Sequence, residues 1–247
     1  MHCKLLTLNI HKGFSTFNRR FVLHELREAV RSVGADIVFL QEVIGDHAVH
    51  ASRHSKWPPK PQYEFLADQI WKDFAYGRNA VYTEGHHGNA VLSKFPILRF
   101  DNHDISIGGP EKRGLLHCVL QIPDHATQVH AVCVHLSLTE GHRRQQLRHL
   151  CELIRREVPE GAPLFVAGDF NDWRGRAHEA LRRCGGLEEA FVHKLGHAAR
   201  TCPARFPLLQ LDRIYFRNAS VTSLQKLSAR PWSHLSDHAA LAAEVEV

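Results

Sequence analysis

Where the sequence reads Pro163-Leu164-Phe165-Val166-Ala167, an apolar run meets Gly168 and then Asp169, Phe170, Asn171 and Asp172. Asp, Asn and Gly form turns readily, because they tolerate left-handed backbone and bond their own main chain. The same event recurs along the chain. The apolar run at 4–8 delivers Asn9, the run at 37–40 delivers Gln41 and Glu42, and the run at 129–134 delivers His135. The run at 211–216 opens with Asp212, and the last apolar segment follows Ser236, Asp237 and His238. Each residue alone has a plain reading. Asn9 can end a strand, Glu42 can stand in a solvated loop and His135 can be an ordinary strand histidine. Asp212 can pair with Arg213, and Asp237-His238 can form a cap or turn. The coincidence of all of them at the ends of apolar runs argues for a site, since ligands bind in α/β sheets where strand ends converge.

Gathered together, Asn9, Glu42, Asp169, Asn171 and Asp237 are hard oxygen donors with no thiolate among them. Such a set suits Mg²⁺, with Mn²⁺ or Ca²⁺ as alternatives, better than zinc. Carboxylates this close repel one another unless a cation lies between them. His135 and His238 can donate to a phosphate oxygen or move a proton. Metal, carboxylate and imidazole are the parts of a phosphoester hydrolase.

The elements that must position these groups follow from periodicity. Strands are expected at 4–8, 37–40, 90–93, 115–122, 129–135, 163–167, 211–216 and 239–247, with 115–122 and 129–135 forming a hairpin. Helices are expected at 18–33 with Asn18 as N-cap, at 63–74, at 139–158 and at 176–184. Residues 52–62 carry three prolines and read as a loop. Strands and helices interleave without a strict βαβ repeat. The expected fold is an α/β four-layer sandwich, two packed mixed β-sheets flanked by helices, in a single domain spanning residues 1–247.

Bulk composition is ordinary for a globular protein, 44% hydrophobic and 23% charged. No stretch approaches the roughly 20 apolar residues of a membrane helix, and the N-terminus lacks a secretory signal pattern. A cytoplasmic monomer is expected. The six cysteines form no CxxC motif and read as reduced and structural. The net charge of +5 favours a polyanionic partner, nucleic acid or an anionic lipid surface, over a solvated basic surface only mildly.

The ordered set TLNIHKG (7–13), FLQEV (39–43), GNAVLSKFPI (88–97), KRGLLH (112–117), VHLSL (134–138), GDFND (168–172), LDRIYF (211–216) and SDHAAL (236–241) resembles the endonuclease/exonuclease/phosphatase superfamily, the DNase I-like fold. The likeness runs from about residue 4 to residue 245. It implies that Glu42 is the main metal ligand, with Asn9 assisting and Asp237 on the metal side. It implies that Asp169 activates the attacking water, Asn171 holds the scissile phosphate, His238 binds or protonates it, and Asp212 orients His238. His135 corresponds to a phosphate ligand or general acid, and Asn89, Arg113 and Tyr76 to supporting positions near the phosphate. Two departures argue against an abasic-site repair enzyme: His11 stands where many such enzymes carry Asp, and His135-Leu136-Ser137 replaces a Pro-Asn motif. The stretch 62–90 resembles a bacterial subgroup without a defined substrate, and His86 and His87 read as a solvated loop.

The superfamily's chemistry does not choose a substrate. Trp57 with Lys56 and Lys60 could stack on a base and meet phosphates, or pack against its own prolines. The arginines of the 139–158 helix could track a nucleic-acid backbone or face solvent. The expected function is a metal-dependent nuclease acting on DNA, with RNA as a second substrate. Alternatives are a phospholipid or sphingomyelin phosphodiesterase, a small-molecule phosphatase, and a non-catalytic binding protein. The presence of Glu42, Asp169, Asp237 and His238 argues against the last.

Overall fold

The computed structural model describes residues 1–123 and 128–247. In chain order its elements are β1 (His2–Asn9), α1 (Leu23–Val33), β2 (Ile37–His47), α2 (Ala48–Arg53), α3 (Gln62–Ala67), β3 (Asp73–Tyr82), β4 (Gly85–Ser93), β5 (Ile97–Asp104) and β6 (Gly114–Leu120). There follow β7 (Val129–His135), α4 (Glu140–Glu157), β8 (Leu164–Asp169), α5 (Arg176–Gly185), β9 (Glu188–Glu189), α6 (Ala190–Leu195), β10 (Asp212–Arg217), β11 (Ser220–Leu227) and β12 (Ala240–Glu246). They form two six-stranded sheets, ordered β11-β12-β1-β2-β4-β3 and β5-β6-β7-β8-β10-β9.

The central strands are apolar on both faces, and that decides the layering. On β1, Leu5 faces the other sheet while Leu6 and Leu8 face outward. Leu5, Phe39, Val91, Leu116, Ala131, Phe165, Ile214 and Leu241 make the core between the sheets. Leu23 and Leu26 of α1 cover the first sheet's outer face with Val38 and Trp71. Leu150 and Ile154 of α4 cover the second sheet with Val132, Val166 and Leu181. The result is the expected four-layer α/β sandwich.

Two parallel pairs set up the site. β1 runs parallel to β2 with Asn9 opposite Gln41. β7 runs parallel to β8 with His135 opposite Asp169. β10 runs antiparallel to β8, so its first residue, Asp212, lies opposite Asp169. Asn9, Glu42, His135, Asp169 and Asp212 are thereby brought to one edge of the sandwich. The hairpin expected from 115–122 and 129–135 is present as the β6–β7 pair.

Several expectations need correction. The first helix begins at Leu23, and Asn18 does not cap it; Asn18 has φ 54° in a short 3-10 turn. The 63–74 helix ends at Ala67, because Asp73 already opens β3. Helix α2 enters the expected loop as far as Arg53. The six cysteines are not all reduced. Cys151 of α4 and Cys184 of α5 form a disulfide across 33 residues with a Cα–Cα distance of 5.7 Å, while the other four are free. Only the packing of α4 on α5 brings that pair within disulfide reach. Opening it with Cys151→Ser should lower the unfolding free energy by about 3 kcal/mol. Urea denaturation under non-reducing conditions checks this, and an unchanged midpoint would show that the bond constrains nothing.

Candidate active site

Asp169 is the hub. Only 1% of it is exposed, and it terminates β8 after Gly168, whose φ is 147° and where a Cβ would lie 2.0 Å from the Val134 carbonyl oxygen. Its Oδ1 accepts from the Asn171 backbone N–H at 2.9 Å. Its Oδ2 accepts from Asn9 Nδ2 at 3.2 Å and lies 3.6 Å from His135 Nε2 and 3.9 Å from His238 Nε2. Asn9 Nδ2 also donates to Glu42 Oε1 at 3.3 Å, so one amide joins two carboxylates. Glu42 and Asn171 both have left-handed backbone, φ 56° and 50°. Strain of this kind is retained where surrounding structure over-determines a residue, commonly at functional sites.

His238 Nδ1 bonds Asp212 Oδ2 at 2.8 Å. Asp212 is fully buried, and its Oδ1 has no hydrogen-bond partner. Burial disfavours the His238 imidazolium, but Asp212, Asp169 and Asp237 outweigh it and hold the histidine well above its usual range. Burial pushes the Asp169 carboxyl up to about 6; His238 works against that rise and Asp212 adds to it. His135 goes the other way. Burial first, then the Arg113 guanidinium and His238, keep it well below the ordinary histidine range. The site therefore holds one charged and one neutral imidazole on either side of a single carboxylate.

Asp237 is tied to His11, Nδ1 to Oδ2 at 3.2 Å. Burial would raise its carboxyl, yet the bond from His11 and the nearby imidazoles leave it below the usual carboxylate range. The sequence reading missed His11 as a partner; its place two residues past Asn9 was the available signal. Ser236 was also missed as a brace. Its Oγ donates to the Asn9 carbonyl at 2.6 Å and accepts from His238 N–H at 3.2 Å, fixing the last loop to the first strand. Asn171 donates through Nδ2 to the Leu136 carbonyl at 2.9 Å.

The supporting residues divide. Arg113 reaches the site's wall, donating from Nε to Leu136 O at 3.3 Å and pairing with Glu111 at 2.7 Å. Asn89 is buried beneath, donating to Gly114 O and Cys133 O, with its own Oδ1 unpartnered. The Tyr76 hydroxyl bonds Val43 O, next to Glu42, and His86 Nδ1. His86 and His87 are not in a loop; both lie on β4. Burial and Lys12 push His87 down to about 4, and Glu42 opposes them. Trp57 stacks on Phe21 and His50, at 4.9 and 5.5 Å.

Two mixed sheets that converge a carboxylate–imidazole–carboxylate chain at one edge define a hydrolase of the DNase I-like class. The chain belongs to the endonuclease/exonuclease/phosphatase family, whose model matches residues 6–238. It is 56% identical over 244 residues to the uncharacterized protein YbhP of Escherichia coli strain K12, covering 99% of this chain and 96% of that protein. The same figures hold for uncharacterized protein YbhP of Shigella flexneri. Among solved structures it is similar to an endonuclease/exonuclease/phosphatase from Bacteroides vulgatus, with a TM-score of 0.76, 20% identity and coverage of 100% of this chain and 99% of that one. It is also similar to D. rerio TDP2 complexed with a single-strand DNA product, with a TM-score of 0.72, 18% identity and the same coverages. At these identities the structures show the fold alone.

Both Asp169 and His238 hold protons more tightly folded than unfolded. For Asp169 the folded value is about 6, against about 3.9 in an unfolded chain. The folded form thus carries the extra proton between those limits, and stability from this group falls as pH rises through that window. The His238 contribution is full below the usual histidine range and is lost as pH rises through its raised folded value. In EDTA-treated protein, the Tm of wild type relative to Asp169→Asn should decline between about pH 4 and 6. A relative Tm that climbs across this window would contradict the assignment.

Proposed function

We propose that this protein is a divalent-metal-dependent phosphodiesterase, and that its substrate is DNA, with RNA as a second substrate. The observation that carries the reading is the chain Asp212–His238–Asp169, closed by Asn9 to Glu42. Hard oxygen donors converge there, and Glu42 and Asp169 meet at one Asn9 amide. That donor chemistry fits Mg²⁺, with Mn²⁺ or Ca²⁺ as alternatives. Glu42 and Asn9 would hold the ion, with Asp237 beside them. When bound, it supplies positive charge against the phosphoryl oxygens.

The chain's own groups do the rest. Asp169 accepts the proton of the attacking water, and a carboxyl raised to about 6 is a stronger base than an ordinary aspartate. The charged His238 donates to a phosphate oxygen, oriented through Nδ1 by Asp212. Asn171 steadies the phosphate with its remaining amide hydrogen, and neutral His135 donates on the opposite side. Arg113 lies at the wall. Asn89 acts beneath it as a positioning residue, and Tyr76 belongs to the rim only.

For DNA speak the net charge of +5 and the rim beyond Asn171. Trp173 is 44% exposed two residues on, and Arg144, Arg174 and Arg176 gather around Glu140 beside it. Aromatic faces and cations together suit a nucleic-acid strand. The D. rerio TDP2 complex, with its single-strand DNA product, is a precedent on this fold. We read the protein as a single-domain cytoplasmic monomer; among the described residues no helix is long and apolar enough to cross a membrane.

One observation favours a second reading. Phe206, Leu208 and Leu209 are exposed on the 201–209 loop, whose Ala204 N–H donates to the Asp237 carbonyl at 2.7 Å. An apolar rim tied to the site suits a phospholipid phosphodiesterase.

Supercoiled plasmid with Mg²⁺ separates these readings. Wild type should nick it, EDTA should stop it, and Asp169→Ala should lower the rate by at least about 10³-fold with the fold intact. Plasmid left intact while a generic phosphodiester is hydrolysed would reject DNA and favour the lipid reading. Glu42→Gln should shift the Mg²⁺ titration to higher concentration, and an unchanged titration would remove Glu42 from the metal.

A further inference from the structure

A second cluster of metal-capable side chains lies on the outer face of the second sheet, under the C-terminal end of α4. His103 of β5, His117 of β6 and His130 of β7 stand opposite Leu115, Val132 and Leu164 in the strand registers. Those three leucine and valine side chains belong to the core covered by α4, so the three histidines point the same way. His103 and His117 meet Glu157, the last residue of α4. One coordinating atom from each of His103, His117 and Glu157 lies within 4.8 Å of the other two.

The distances fit coordination to a shared ion, and the shorter of them is also a hydrogen bond. Glu157 Oε2 is 3.2 Å from His117 Nδ1 and 3.6 Å from His103 Nε2. Ligands about 2.0–2.1 Å from a tetrahedral zinc ion stand about 3.4 Å apart. His103 Nε2 is buried and has no hydrogen-bond partner. A 3.6 Å separation from the carboxylate leaves it short of a bond but in place for a shared ion. The surroundings have the form of a metal site's outer shell. His117 Nε2 meets His130 Nδ1 at 2.9 Å, which fixes the ring and turns Nδ1 toward its hydrogen-bond partner, Glu157 Oε2. Arg156 takes the other carboxylate oxygen, Glu157 Oε1, at 2.7 Å, so that Oε2 faces the histidines.

We propose that His103, His117 and Glu157 form a zinc site, with His130 as its outer-shell partner and the fourth position open to solvent. Two imidazoles and one carboxylate are borderline ligands that select zinc over the hard ions suited to the Asp169 centre. The site is separate from that centre. His130 and His135 lie five residues apart on β7, about 16 Å along an extended strand. The ion would pin the end of α4 to β6 and to the sheet-edge strand β5, with β7 joined through His130.

The test is calorimetric titration of zinc into the full, EDTA-stripped protein, with Mg²⁺ in excess to fill the Asp169 centre. One saturable zinc per chain is expected in wild type, together with a rise in Tm. His103→Gln and Glu157→Gln should each weaken it by more than about 100-fold, since loss of an outer-shell partner alone costs about 10–100-fold. Glu42→Gln should leave it unchanged. Co²⁺ in place of zinc should give the intense visible bands of a tetrahedral site in wild type and in Glu42→Gln only. Circular dichroism and zinc-free Tm establish that each variant is folded, and His103 on the edge strand is the substitution least able to disturb the core. The proposal is overturned if wild type shows no saturable zinc, or if zinc binding survives both His103→Gln and Glu157→Gln.

Discussion

A carboxylate buried to 1% exposure must be given partners or lose its charge, and Asp169 meets that demand from four separate stretches of chain. Asn9 comes from the first strand, the Asn171 amide from the turn beyond Asp169, His135 from the neighbouring parallel strand and His238 from the last loop. Each partner is itself held. Ser236 ties the last loop to Asn9, and Asp212 takes the far nitrogen of His238. Removing any one of these would leave a buried polar group without its complement. The edge of the sandwich therefore works as one unit in which every member depends on the docking of both sheets.

That docking follows from strands apolar on both faces. Each sheet needs cover on two sides, and two sheets with two helical layers provide it. The parallel pairs β1–β2 and β7–β8 then end at the same edge, and β10 starts there because it runs the other way. The active centre stands where these buried strands run out. Just beyond their ends Ile10, Leu136 and Phe170 are still buried, while the polar side chains beside them are held by one another.

Most of this was legible because the signals were local. Apolar runs gave the central strands, and the residue types at their ends gave Asn9, Glu42, His135, Asp169, Asp212 and the 236–238 loop. What could not be read depended on distant contacts or on weak periodicity. β5 and β11 are polar edge strands with mostly exposed side chains, so alternation there carries little hydrophobic signal. Helix α1 begins five residues later than its apolar spacing suggests, because Phe14 and Phe21 pair as a β-bridge ahead of it. The Cys151–Cys184 bond and the meeting of His103, His117 and Glu157 join segments with no common motif, and only helix-on-sheet packing brings them together.

The place of β12 in the first sheet carries a consequence for how the molecule comes into being. It lies between β11 and β1, pairing with both, and is the last strand in the chain. A ribosome must therefore release residues 240–246 before the first strand acquires its second neighbour and before the loop bearing His238 can close on Asp169. Until then β1 presents an open hydrogen-bonding edge. The site is thus completed only once β12 has paired with β1.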